Sequence, residues 1–153
     1  MELHMNGQHP SSQTPAQADR SIQPLALILL LALAAVLFFV GLGSLGLTDR
    51  DEGRNAEAGR EMYETGNYIS PTFNYEPRFA KPVFVYWLMS LSYHVFGVSE
   101  FAARFPSAIF GVGLILLQYL FLTRCRGPVV GLFGAAMLLL NLEIIGLSRM
   151  ALT

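Results

Sequence analysis

The residues able to do chemistry gather in and around one polar stretch, Leu47 to Pro82, which holds most of the chain's charge between long apolar segments. Asp51 and Glu52 stand side by side in it and Arg54 follows at helical spacing. Lys81 closes the stretch in the sequence FAKP, and Arg149 lies in the closing SRMALT. A carboxylate can take the proton from an attacking hydroxyl, and cations can stabilise a departing phosphate. The set therefore suits transfer of a group from a phosphate, with Asp51 as base and Lys81, helped by Arg149 or Arg54, as the phosphate partner. Each residue also has a plainer reading. Acidic side chains in a helix's first turn are favoured by capping and by the helix dipole, which accounts for Asp49, Asp51 and Glu52 without catalysis. A lysine flanking apolar sequence snorkels to lipid headgroups. Spacing alone leaves both readings open.

The elements that position these residues follow from local pattern. Asp49 as N-cap with Glu52 three residues on reads as a capping box, opening a helix that runs to Thr65 and stops at Gly66. Its charged faces suit a helix that lies on the membrane and does not cross it. Pro71 and Pro77 make Asn67 to Lys81 an irregular, stiff loop. Pro82 starts a second short helix, Val83 to Phe96, about 21 Å long and too short to span comfortably. Phe84, Leu88, Leu91 and Val95 line one side of it, opposite Tyr86, Ser90, Tyr93 and His94, and Trp87 suits headgroup depth, so it reads as interfacial.

Long apolar runs at about 25–47, 105–122 and 128–147 read as three transmembrane helices, with residues 48–104 as one large outer loop and residues 1–23 as a disordered cytoplasmic tail. If the basic turn Arg124-Cys125-Arg126 is cytoplasmic with the tail, an even number of spans separates them, so the acidic loop and Arg149 share the outer face. With 53% hydrophobic and 14% charged residues, the chain belongs in a bilayer. Its near-zero net charge offers nothing to nucleic acid. One cysteine excludes an internal disulfide, and the three histidines have no ligand spacing.

The segments DEGRNAEAGREM, TGNYISPTFNYEPRFAKPVFVYWLMSLSYHVFG, SEFAARFPSA and SRMALT, in that order, resemble the N-terminal part of the bacterial aminoarabinose transferase and protein mannosyltransferase superfamily, membrane glycosyltransferases of the GT-C fold. The resemblance covers Leu47 to Thr153. It implies an all-α membrane protein, a polyprenyl-phosphate-sugar donor, inverting transfer and a site on the outer face of a bacterial inner membrane, with two interfacial helices in the first outer loop. It implies that Asp51 is the principal catalytic carboxylate with Glu52 its neighbour in the motif, and that Lys81 contacts the donor phosphate. The family's second acidic site follows the segment matching Arg149 to Thr153, so the chain alone is expected to be inactive. Asn55 stands where relatives usually have Tyr, and Ala80 where many have Glu; without that Glu no metal or other cofactor is expected.

The acceptor class implied is an envelope one, lipid A, a protein hydroxyl or another glycan. The rival expectation is a non-catalytic membrane protein that holds polyprenyl phosphate or a partner helix through the same loop. Glu143, inside the third apolar run, is either a costly functional acid or a side chain reaching headgroup water with Asn141. His94 reads as solvated or headgroup-contacting.

Overall fold

The computed structural model describes residues 15–44, 46–47 and 49–151, with side chains from residue 23 onward. Among the described residues six helices carry the fold: α1 (Pro15–Phe39), α2 (Arg50–Thr65), α3 (Val83–Phe96), α4 (Glu100–Arg126), α5 (Pro128–Leu139) and α6 (Leu142–Ser148). A two-stranded antiparallel ribbon, β1 (Thr72–Phe73) and β2 (Glu76–Pro77), sits in the loop between α2 and α3.

The first apolar run departs from expectation at both ends. Residues 15–23, expected in an irregular tail, are helical, while residues 1–14 lie outside the described residues. The helix stops at Phe39 and not near Leu47, because Gly41 takes the left-handed conformation at φ +69° and turns the chain. The outer-loop helices form as expected. Asp49 caps α2 by accepting from the backbone N–H of Asp51 at 2.7 Å and of Glu52 at 3.4 Å, and Gly66 closes it at φ +69°. Ser99 caps α4 in the same way, accepting from the Ala102 N–H.

The helices α2 and α3 pack antiparallel. Met62 and Ala58 meet Tyr86, Gly59 lies against Met89, and the Tyr93 hydroxyl donates to the Ala56 carbonyl at 3.1 Å. Gly59 is needed there: a Cβ would stand 2.9 Å from the Met89 Cβ, a position fixed by the α3 backbone. Burial is the chief cause that pushes the Tyr93 hydroxyl's pKa up. The polar side of α3 (Tyr86, Ser90, Tyr93) is thus its buried side, and Phe84, Trp87, Leu91 and Val95 are left exposed. His94 remains exposed, set edge-on to Tyr63 with its Nδ1 2.9 Å from the Ser90 carbonyl.

A second core joins α1, α4 and α5 through Leu30, Ala34, Phe38, Ala108, Ile115, Ala135 and Leu139. Among the described residues α4 is the one helix long and apolar enough by itself to cross a membrane. The expected third span is broken: α5 and α6 meet at a 68° bend. Asn141 causes it, since its Oδ1 accepts from the N–H groups of Glu143 and Ile144 and so begins a new helix. Glu143 is accordingly an exposed first-turn acid of α6.

Bent or not, the α5 and α6 pair retraces α4. The pair starts where α4 ends, and the chain after α6 returns to Glu52, the partner of Arg104 near the start of α4. Arg104 to Arg126 covers about 33 Å of helix axis.

Candidate active site

The expected site residues begin at the first turn of α2. Asp51 is exposed, because the cap is made by Asp49 and leaves its carboxylate unused in capping. Arg54, one turn on, places its Nη1 3.7 Å from Asp51 Oδ1. In water such a pair contributes little stability. Its effect here is to hold a positive charge beside the one acidic side chain of this turn that faces outward and is not committed to capping.

Glu52 differs from its neighbour in every respect. It was expected to share the catalytic motif and to complete a capping box, yet it is fully buried and does not reach back to Asp49. Its Oε1 accepts from Arg104 Nε at 2.7 Å and from the Ala151 backbone N–H at 3.0 Å, and its Oε2 from Arg104 Nη2 at 3.0 Å. Burial raises the Glu52 pKa, but the Arg104 hydrogen bonds, the Ala151 N–H and the Arg104 charge outweigh it and leave the carboxyl below its ordinary value of 4.5. The physical reason is the neighbour: an arginine in the first turns of a long apolar helix must find a carboxylate. Arg104 itself donates further to the carbonyls of Leu42 at 2.8 Å and Gly46 at 3.0 Å.

Lys81, half-buried, belongs to the other end of the α2 and α3 pair. Val83, two residues on, packs against the cluster of Ala58, Met62 and Tyr86, beyond the first turn of α2 that carries Asp51. The loop leading to Lys81 is fastened by Glu61. That buried carboxylate accepts from the Thr72 hydroxyl at 2.5 Å and from the Tyr75 N–H at 3.1 and 3.3 Å. Arg149 donates to the Leu37 carbonyl at 2.6 Å, where a cation suits the C-terminal end of α1. The structure thus joins Asp51 with Arg54, ties Glu52 to the segment that carries Arg149, and holds Lys81 along α2 from both. No group of three or more His, Cys, Asp or Glu side chains arranged to hold a metal ion occurs among the described residues.

Sequence reasoning missed Arg104, Asn55 and Glu61. The Asn55 Nδ2 donates to the Ala151 carbonyl at 3.1 Å, so that residue is clasped through both its N–H and its C=O. The signal for Arg104 was present: a lone arginine inside SEFAARFPSA, entering an apolar run, calls for an acid.

Comparison with known proteins assigns this arrangement to the membrane glycosyltransferases. The backbone matches the crystal structure of ArnT from Cupriavidus metallidurans in the apo state with a TM-score of 0.76 and 29% identity, over 87% of this chain and 24% of that one. The structure of the same protein bound to undecaprenyl phosphate matches at 0.62 and 35%, over 66% of this chain and 19% of that one. The undecaprenyl phosphate-alpha-4-amino-4-deoxy-L-arabinose arabinosyl transferase 2 of Pseudomonas fluorescens is 36% identical over 121 residues, 78% of this chain and 22% of the relative. An uncharacterised Aquifex aeolicus protein is 45% identical over 93 residues, 60% of this chain and 22% of its own length. Residues 80–153 match the dolichyl-phosphate-mannose-protein mannosyltransferase family. Together these similarities support a part of a glycosyltransferase of the superfamily that holds the aminoarabinose transferases and these mannosyltransferases. It spans about a fifth of the length of the curated relatives it matches.

Proposed function

We propose that this chain carries the base-bearing part of a glycosyltransferase that moves a sugar from an undecaprenyl-phosphate-type donor to an envelope acceptor such as lipid A, with inversion at the sugar carbon. The observation that carries the reading is the pairing of unlike fates at Asp51 and Glu52. One carboxylate is buried and consumed by Arg104, while the adjacent one is left exposed beside Arg54. In this reading Asp51 takes the acceptor hydroxyl's proton, and the sugar leaves a phosphate whose charge is stabilised by cations of the set Lys81, Arg54 and Arg149, of which Arg54 stands beside Asp51 in this structure. The names of the similar arabinosyl transferases support the donor class, and the structure of ArnT with undecaprenyl phosphate supports a lipid phosphate as the leaving group.

The membrane arrangement belongs to the same proposal. The helices α1, α4 and the bent α5 and α6 pair cross the bilayer, and α2 and α3 lie flat at its outer, periplasmic face. Two contacts support it: the Arg149 bond to Leu37 and the Ala151 bond to Glu52 both bring the end of α6 to the side where α1 ends and α2 begins.

The test is Asp51→Asn in the intact membrane protein, assayed for sugar transfer from a polyprenyl-phosphate donor. Turnover should fall by at least about 10³, with membrane insertion and donor binding kept. Retained turnover removes Asp51 from the base role. Donor binding without any turnover in the unaltered protein favours the non-catalytic binder.

A further inference from the structure

Glu52 sits where four stretches of chain meet. Its own helix α2 supplies the carboxylate, α4 the Arg104 fork, the turn after α1 the carbonyls of Leu42 and Gly46, and the segment after α6 the Ala151 N–H. Asn55, one turn along α2, takes the Ala151 carbonyl. Glu52, Asn55 and the Ala151 side chain are fully buried, and Arg104 is 5% exposed. Such a buried network cannot adjust by small steps, because each partner lost leaves a polar group without solvent.

The contacts also have a direction. The Ala151 N–H meets Glu52 and its C=O meets Asn55, so the chain runs along α2 away from Asp51. Arg149 lies two residues back, with its side chain on the end of α1. The exposed base and one candidate phosphate cation therefore hang from opposite sides of one carboxylate.

We infer that Glu52, Arg104 and Asn55 are positioning residues, a buried clamp that sets Asp51 relative to Arg149, and that Glu52 itself touches no substrate. The inference rests on the transferase reading for its kinetic consequence, but the clamp itself is a statement about structure. A fully buried carboxylate that already receives three hydrogen bonds inside the protein presents no exposed oxygen to an acceptor's proton. Asn55 adds to the argument from its own side: its Oδ1 is buried with no partner among the described residues, so its amide is held by the Ala151 bond alone. Conserving the bidentate geometry requires arginine; a lysine at 104 supplies charge without the fork.

The decisive experiment couples two readouts on the intact membrane protein. Amide hydrogen exchange of the 149–151 peptide should accelerate by about tenfold or more in Glu52→Ala and in Arg104→Lys, with peptides of α5 unchanged. In transfer assays Glu52→Gln and Arg104→Lys should lower kcat by a similar factor, leave the donor KM within about twofold and leave the midpoint of the acidic limb of the pH profile in place. Unchanged exchange at 149–151 overturns the clamp. A shifted or lost acidic limb in Glu52→Gln, with Arg104→Lys unaffected, overturns the positioning role and makes Glu52 a base. Should the unaltered protein show no transfer, the transferase reading fails, and the exchange data alone still decide the clamp.

Discussion

Replacing Glu61 by Ala should free the loop that leads to Lys81 without unfolding the helices. Glu61 receives the Thr72 hydroxyl and the Tyr75 N–H, and hydrogen bonds to a charged group are worth about 1.5–3 kcal/mol each, so about 3–6 kcal/mol is at stake. Removing the buried carboxylate also ends its desolvation penalty, which brings the net loss to about 2–4 kcal/mol. The turn adds to the effect. Asn74 at φ 54° and Tyr75 at φ 62° are both left-handed, costing about 1 kcal/mol or more each, with tyrosine the less tolerant of the two. Hydrogen exchange at the Tyr75 amide and at Arg78, whose N–H binds the Pro71 carbonyl at 2.8 Å, reads the opening directly. A rise of about 30-fold to 10³-fold is expected, and Tyr75→Gly in the same background should recover about 1 kcal/mol of it by relaxing the turn. Unchanged protection at both amides in Glu61→Ala would refute the reasoning, because it would mean that the ribbon holds itself.

Other substitutions test the remaining links. Gly59→Val should separate α2 from α3, since its Cβ meets that of Met89; overpacking costs about 1–3 kcal/mol, seen as a lower thermal midpoint, and an unshifted midpoint would show that the pair can slide. Asp49→Ala removes the α2 cap and should cost about 1 kcal/mol in denaturant unfolding, with no change in the loop around Thr72. The Glu52 carboxyl has a lowered pKa in the folded protein, so its contribution to stability is complete above the ordinary 4.5 and is lost as pH falls through the lower folded value. Thermal midpoints of the unaltered protein should therefore drop in acid more steeply than those of Glu52→Gln. A thiol-reactive probe that cannot cross membranes should label a cysteine placed at Tyr63 but not Cys125, which is exposed in the last turn of α4; the reverse pattern would invert the topology.

Much of this fold was readable wherever a local signal decided it. The aspartate at 49 and the glycine at 66 fixed α2 to the residue, and Pro82 with the amphipathic run after it fixed α3. The failures have one physical character. Helix length in apolar sequence gives no hint of a break made by a side chain, and so Asn141 split the third span while Gly41 shortened the first. At the site, Asp51 and Glu52 are adjacent and chemically alike, and nothing within α2 says which is consumed. That is settled by Arg104 and Ala151, 52 and 99 residues away in sequence.

Those separations set an order of assembly. The antiparallel α2 and α3 pair closes over short stretches of chain and can form as soon as the outer loop exists. The Arg104 fork requires α4 to be in place, and the Ala151 contact requires the return through α5 and α6. Asp51 is thus helical before the contacts that orient it exist, which makes the return through α5 and α6 the step that a destabilised variant fails.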